Sequence, residues 1–329
     1  LFSRQSLVKS ASDEVFDEAL QQITRRIQMT LAEEIQSLKK EKNAVILAHY
    51  YVPDDVQQIA DYIGDSYYLA KVAKDLTEDT IVFAGVGFMG ESAKILNPGK
   101  TVLLPDVTAD CAMAHMATPE RIAKVRAEYD DVAVVCYINS VAELKEHSDV
   151  IVTSANAMKI VKNLPNKNIF FIPDENLGRY IASQVPEKNF IFNDGYCPVH
   201  KAVTADKVKA AKAAHPEALV LVHPESIPEV VDLSDYAGST SGIIDFATKS
   251  EAKEFIIVTE LGVMYELKTK NPDKKFYAAD ENQICHDMKK VTLEKVRDCL
   301  KDGLGAVEVE DSLREKSLIP LERMLELAK

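Results

Sequence analysis

The sequence predicts an α/β protein of three homologous α-β-α sandwich domains, with short parallel sheets in a pseudo-threefold arrangement around a central site. Three observations carry this expectation. Cysteines recur at intervals of 86 and 88 residues, at Cys111, Cys197 and Cys285. Seven residues after each stands a threonine (Thr118, Thr204, Thr292) followed closely by an acid, the pattern of a capped helix start. Between these markers, apolar strand-like runs alternate with helical stretches in one register.

The elements of one unit follow in order. Thr30 opens the first, 88 residues before Thr118. Nineteen residues after Thr30, Thr118 and Thr204 come His49, Tyr137 and His223, at the ends of the apolar runs Ala44–His49, Val132–Tyr137 and Ala218–His223. Another 17 residues lead to the hydroxyls Ser66, Ser154 and Thr240, and 17 more to Phe83, Phe171 and Ile257 inside short apolar strands. Each unit reads helix, strand, polar tip, helical turn, hydroxyl, helix, strand, glycine-containing turn, helix, strand, cysteine. The boundaries expected are 1–29 for an N-terminal extension, then repeats at 30–117 with Cys111, 118–203 with Cys197 and 204–291 with Cys285. Residues 292–329 read as a C-terminal helical segment packed on the first repeat.

Composition narrows the function. The chain has 329 residues, 39 Lys plus Arg against 52 Asp plus Glu, and a net charge of −13. That balance, with no basic run, argues against nucleic acid as a partner. The longest apolar stretches, such as Val132 to Ile138, are too short to span a bilayer, so a soluble, cytoplasmic protein without a membrane partner is expected. Residues 1–12 carry Arg4, Lys9 and four serines without an acid, a faint echo of an organelle transit peptide beside the plainer reading of a tail. Five cysteines without a C-x-x-C pair fit a reducing compartment.

In parallel α/β units ligands bind beyond the carboxyl ends of the strands. Three such units about one axis bring equivalent tips together, so His49, Tyr137, His223 and the three cysteines should line a single site. Three converging thiolates select a soft metal: zinc, Cu(I) or an iron–sulfur cluster. A cubane cluster usually takes four cysteines, so three would leave one iron open, as catalytic metal sites require. Cys136 and Cys299 fall outside the register and read as buried apolar residues. Of the histidines near the cysteines, His200 is the candidate for the site, and His115 and His286 read as incidental. Ser66, Ser154 and Thr240 read as helix caps, and the helix ends behind them suit an anionic substrate. Gly85-Val86-Gly87-Phe88-Met89-Gly90 matches G-x-G-x-x-G, yet it follows the unit's second predicted strand and has no counterpart in the other repeats. It is therefore read as a decoy rather than a dinucleotide site.

Over residues 30 to 300 the chain resembles the quinolinate synthase family. The resemblance rests on Ala48-His49-Tyr50-Tyr51, Gly64-Asp65-Ser66, Phe88-Met89-Gly90-Glu91-Ser92-Ala93, Tyr137-Ile138-Asn139-Ser140 and Thr153-Ser154-Ala155-Asn156. It continues through Pro173-Asp174-Glu175-Asn176-Leu177-Gly178, Gly195-Tyr196-Cys197-Pro198-Val199-His200, His223-Pro224-Glu225 and Gly238-Ser239-Thr240-Ser241-Gly242. The resemblance implies condensation of iminoaspartate with dihydroxyacetone phosphate to quinolinate, phosphate and water in NAD biosynthesis. It also implies a [4Fe–4S] cluster on Cys111, Cys197 and Cys285 with one open iron acting as a Lewis acid. An L-aspartate oxidase or aspartate dehydrogenase would supply the imine. The implied catalytic residues are Tyr51, Glu225, His49, Tyr137 and His200. The implied substrate-binding residues are His49, Ser66, Tyr137, Ile138, Asn139, Ser154, His223, Pro224, Glu225 and Thr240. Gly87, Gly90 and Asn193-Asp194 depart from the family pattern without removing any of these groups. Two rival readings are another [4Fe–4S] dehydratase with an open iron and a non-catalytic thiolate metal-binding protein.

Overall fold

Six consecutive buried residues, Ala44–His49, make strand β1. A strand with both faces buried belongs inside a sheet that is covered on both sides, where parallel sheets place their central strands. The computed structural model describes residues 29–329, so the extension expected over 1–29 lies almost wholly outside the described residues. In the first sheet the order is β2 (Tyr62–Gly64), β1, β3 (Thr80–Ala84), β4 (Thr101–Leu103). The second sheet repeats it with β6 (Val150–Val152), β5 (Val132–Tyr137), β7 (Asn168–Ile172) and β8 (Asn189–Phe192). The third does so with β10 (Tyr236–Ala237), β9 (Leu219–Val222), β11 (Glu254–Val258) and β12 (Lys275–Ala278). Every pairing is parallel. The central registers correspond: Ala44 faces Thr80, Val132 faces Asn168 and Leu219 faces Phe255. Helices join the strands, giving three α-β-α sandwiches.

Each unit holds one strand more than the sequence reading supplied. The edge strands β2, β6 and β10 are three, three and two residues long. Pieces this short carry no measurable alternation, and only pairing with the central strand defines them. The G-x-G-x-x-G match consequently follows the third strand of its unit, not the second.

The predicted threonine caps are present. Thr30, Thr118 and Thr204 accept hydrogen bonds from the N–H groups of Glu33, Arg121 and Lys207 and start Leu31–Glu41, Pro119–Glu128 and Ala205–Ala214. Such a cap contributes about 1 kcal/mol. Thr292 caps a fourth helix, Leu293–Asp302, in the same manner.

The C-terminal segment does not pack on the first repeat alone. Leu293–Asp302 lies against Leu31–Glu41 and β3, but Asp311–Leu327 lies mainly on Ala142–Glu146 and β6 of the second repeat. Its stripe of Leu321 and Met324 is fully buried. Ser317 donates to the Ala142 carbonyl at 2.9 Å, and Arg323 to the Asp149 carbonyl at 3.0 Å. Between the helices, the Leu104 N–H donates to the Gly305 carbonyl and the Val307 N–H to the Val102 carbonyl, each at 2.8 Å. The tail thus covers the edge of β4 and clamps two repeats together. One apolar core runs through the first two repeats and this tail, while the third repeat keeps separate clusters on the two faces of its sheet. Tyr50, from the loop after β1, packs into one of those clusters and joins first repeat to third.

Gly305 is the weak point of the clamp. It sits at φ +79°, and a Cβ there would stand 2.0 Å from the Leu104 carbonyl oxygen. Left-handed backbone alone costs a non-glycine residue about 1–2 kcal/mol. Gly305→Ala should therefore lower stability by at least that amount in denaturant unfolding. Gly99→Ala, where an added Cβ meets nothing within 4 Å, should leave it unchanged.

Candidate active site at the strand tips

Identical topology aims the same end of each sheet at one point. His49, Tyr137 and His223, the hydroxyl residues Ser66, Ser154 and Thr240, and Cys111, Cys197 and Cys285 all line one cavity. Tyr51, Asn139, His200 and Glu225 complete the set of predicted residues in its wall. Ile138 and Pro224 are buried next to it but are not wall residues. His115 and His286 are exposed. Cys136 and Cys299 are buried in the apolar core.

The three hydroxyls are not the caps that the sequence suggested. Asp65 caps Ser66–Asp75 by accepting from the Tyr68 N–H, and Ser239 caps Thr240–Lys249 by accepting from the Gly242 N–H. Asn156 precedes Ala157–Asn163, and its Oδ1 accepts from the Thr153 N–H. Neighbouring side chains thus cap two of these helices, and Ser66, Ser154 and Thr240 line the cavity instead. Asn139 adds a carbonyl oxygen, Oδ1, that is buried without a hydrogen-bond partner. A native structure rarely leaves such a group unpaired unless a ligand or water completes it.

Two histidines repeat one device. The Tyr51 N–H donates to His49 Nδ1 at 3.2 Å, and the Glu225 N–H donates to His223 Nδ1 at 3.3 Å. Burial pushes both imidazoles down to about 3, so they are neutral near pH 7. With Nδ1 accepting, the proton sits on Nε2. His223 Nε2 donates to Ser154 Oγ at 3.2 Å. These rings are fixed, uncharged donors.

Glu225 is 3% exposed and takes hydrogen bonds across repeat boundaries. Tyr137 Oη donates to Oε1 at 2.6 Å, and His200 Nδ1 lies 2.8 Å from Oε2. Burial pushes this carboxyl up, but His200, His223 and the two hydrogen bonds outweigh it and hold the group well below the usual carboxylate range. Burial, then the Glu225 charge, pushes the Tyr51 and Tyr137 phenols well above 10. Tyr51 Oη lies 2.7 Å from Thr240 Oγ1 and 2.9 Å from Thr259 Oγ1, and Thr259 Oγ1 lies 2.9 Å from His200 Nε2. A continuous hydrogen-bonded path therefore runs Tyr51, Thr259, His200, Glu225, Tyr137.

The donor set at the other side of the cavity suits a soft metal group. Burial pushes the Cys111 thiol up to about 12, and Cys197 and Cys285 are raised as well. Among the described residues, no lysine or arginine lines the cavity. Three thiolates can coexist there only if a metal supplies the positive charge. Each cysteine's peptide N–H is already tied to a carboxylate: Cys111 to Asp110 Oδ1 at 2.7 Å, Cys197 to Asp174 Oδ2 at 3.2 Å and Cys285 to Glu260 Oε1 at 3.1 Å. His200 Nδ1 also lies 3.2 Å from Cys197 Sγ.

Asp174, Glu260 and Thr259 were not singled out from sequence. A signal existed: Asp174 and Glu260 are 86 residues apart, in the register of the repeat, and both are almost fully buried. The first repeat has Val86 at the equivalent position, so the acid occurs in only two of the three units.

A family model described as "Quinolinate synthetase A protein" matches residues 33–326. The chain is 54% identical over 295 residues to the quinolinate synthase of Caldicellulosiruptor saccharolyticus, covering 90% of this chain and 97% of that one. It is 53% identical over 298 residues to that of Clostridioides difficile (91% and 98% covered) and 55% identical over 298 residues to that of Fusobacterium nucleatum (91% and 99% covered). With all but two of the expected site residues in one cavity wall and the match running nearly end to end, the chain belongs to the quinolinate synthetase A protein family.

Proposed function

We propose that the protein is a quinolinate synthase that condenses iminoaspartate with dihydroxyacetone phosphate, releasing phosphate and water, for NAD biosynthesis. The observation that carries this reading is the meeting of Cys111, Cys197 and Cys285 with the hydroxyls and histidines of all three repeats in one cavity. The three cysteines would hold a [4Fe–4S] cluster, which when bound supplies a Lewis-acidic iron. A cluster-dependent dehydratase acting on another hydroxy acid would share the metal, but the family match favours the condensation.

The chain's own residues divide the remaining work. Substrate carboxylates and phosphate carry several negative charges, and the cavity meets them with neutral donors. These are His49 Nε2–H, the Asn139 amide, the hydroxyls of Ser66, Ser154 and Thr240, and the N-termini of Ser66–Asp75 and Thr240–Lys249. Loss of water from a hydroxyl carbon needs a base for the C–H proton and an acid for the departing oxygen. Glu225, ionised and accepting, is suited to the first task. Tyr51, neutral and held by Thr240 and Thr259, is suited to the second. The path through Thr259 and His200 lets a proton gained at Glu225 be returned toward Tyr51. Tyr137 orients Glu225. An L-aspartate oxidase or aspartate dehydrogenase would deliver the imine.

Protein purified without oxygen should carry about four irons and four sulfides per chain and form quinolinate from the two substrates. Zinc without sulfide, or cluster-replete protein that forms no quinolinate, would overturn the reading. Cys111→Ser, Cys197→Ser and Cys285→Ser should abolish both cluster and activity. Cys136→Ser should retain activity at a stability cost of about 1–3 kcal/mol for an added buried hydroxyl. Glu225→Gln and Tyr51→Phe should each lower kcat by about 10²–10⁴-fold with the cluster intact.

The neutral histidines also fix a pH dependence. Their folded-state values near 3 lie below the unfolded value of 6.5, so the unfolded chain binds more protons between those limits. Stability should be fully present above about pH 6.5 and fall on acidification, by on the order of 1 kcal/mol per histidine from pH 6 to pH 5. His49→Gln should flatten that slope in chemical denaturation measured at the two pH values.

A further inference from the structure

Cys197, His200 and Glu225 form a set that differs from the three cysteines. Their donor atoms lie within 4.8 Å of one another. His200 Nδ1 is the centre, 3.2 Å from Cys197 Sγ and 2.8 Å from Glu225 Oε2. His200 and Glu225 are 2% and 3% exposed. A thiolate, an imidazole and a carboxylate make a ligand set for zinc, with a fourth position left open. Zinc bonds of about 2.3 Å to sulfur and about 2.1 Å to nitrogen or oxygen need N···S of about 3.6 Å and N···O of about 3.4 Å in a tetrahedron. His200 Nδ1 would draw back from each partner by about half an ångström, and Cys197 Sγ and Glu225 Oε2, which lie within 4.8 Å of each other, would settle about 3.6 Å apart, with the cavity beside them giving room.

The surroundings prepare His200 as a ligand. Its Nε2 lies 2.9 Å from Thr259 Oγ1, a contact that turns Nδ1 toward the thiol and the carboxylate when Nε2 carries the proton. Second-sphere contacts of this kind set the tautomer and ring orientation of metal-bound histidines. The His223 ring stacks on His200 with centroids 4.7 Å apart and restrains its rotation. Glu225 is anchored through its other oxygen by Tyr137. Cys111 and Cys285 take no part.

We propose that the cluster-free chain binds one zinc ion through Cys197 Sγ, His200 Nδ1 and Glu225 Oε2, the thiol proton leaving to solvent. The site and the cluster are mutually exclusive, because both need Cys197. Zinc would hold the protein in an inactive form that also ties up Glu225. The exclusion, though not the zinc site itself, rests on the cluster reading above.

Co²⁺ reports both tetrahedral geometry and thiolate bonding in its visible and near-ultraviolet absorption, so it serves as the probe with the reduced, chelator-treated full-length chain. The expected result is one Co²⁺ per chain with a thiolate charge-transfer band, displaced by one equivalent of Zn²⁺. Cys111→Ser and Cys285→Ser should keep that signature. Cys197→Ser, His200→Gln and Glu225→Gln should lose it, and Thr259→Val should weaken binding by about 10–100-fold. Thermal unfolding of each metal-free variant checks that it folds. A signal that needs Cys111 and Cys285 but survives His200→Gln would mean a three-thiolate site and overturn the proposal. So would the absence of any Co²⁺ signal in the unaltered chain. Iron and sulfide after anaerobic reconstitution of the same variants test the cluster separately. His200→Gln and Glu225→Gln should still take it up, and Cys111→Ser and Cys285→Ser should not. Zn²⁺ added first should block that uptake in the unaltered chain, but not in His200→Gln.

Discussion

The buried charge of Glu225 is the constraint around which the site is assembled. A carboxylate this deeply buried is costly unless every oxygen is served, and the cost of removing one partner is several kcal/mol. Its partners come from elsewhere in the fold: Glu225 follows β9 of the third repeat, while Tyr137 and His200 belong to the second. The path continues through Thr259 of the third repeat to Tyr51 of the first. The repeats therefore cannot separate without stripping a buried anion of its donors. The same contacts that unite the fold hold the proposed acid and base in register.

Threefold repetition supplies geometry, and substitution within the repeat supplies chemistry. The cavity hydroxyls stay nearly equivalent, as Ser66, Ser154 and Thr240, and so do the cysteines. The tips do not: His49 and His223 are Nε2 donors, while Tyr137 spends its hydroxyl on Glu225. Three residues into the turn after Phe83, Phe171 and Ile257 the chain has Val86, Asp174 and Glu260. The two acids tie down the Cys197 and Cys285 backbones, whereas in the first repeat Asp110 does this for its own neighbour Cys111. A symmetric frame thus ends in an asymmetric cavity.

Much of this was legible because the repeat is written in spacings. Intervals that agree from Thr30, Thr118 and Thr204 through the strand tips, and differ by only two residues in the middle unit on the way to the cysteines, point to the residues of the cavity wall. Three things escaped. The edge strands β2, β6 and β10 are too short to have a pattern of their own. The caps fell one residue from the hydroxyls, or two in the case of Asn156, and sequence does not distinguish Asp65 from Ser66 as the residue outside the helix. The long C-terminal helix chose its neighbours by burying Leu321 and Met324, and an apolar stripe does not name the surface it will meet.

A chain of net charge −13 with anionic substrates proposed for it invites the expectation of a basic pocket, yet among the described residues the cavity wall contains no lysine or arginine. A cation behind the wall is already paired. Lys289 is paired at 2.9 Å with Glu260, the acid behind Cys285, and donates to the Tyr51 carbonyl at 2.6 Å, so its charge is spent outside the cavity wall. A free lysine or arginine beside the thiols would stabilise thiolates as ion pairs and compete with a metal for them. Uncharged donors do not. They leave the thiols to a metal and still offer substrates hydrogen bonds whose strength grows in a dry, low-dielectric pocket.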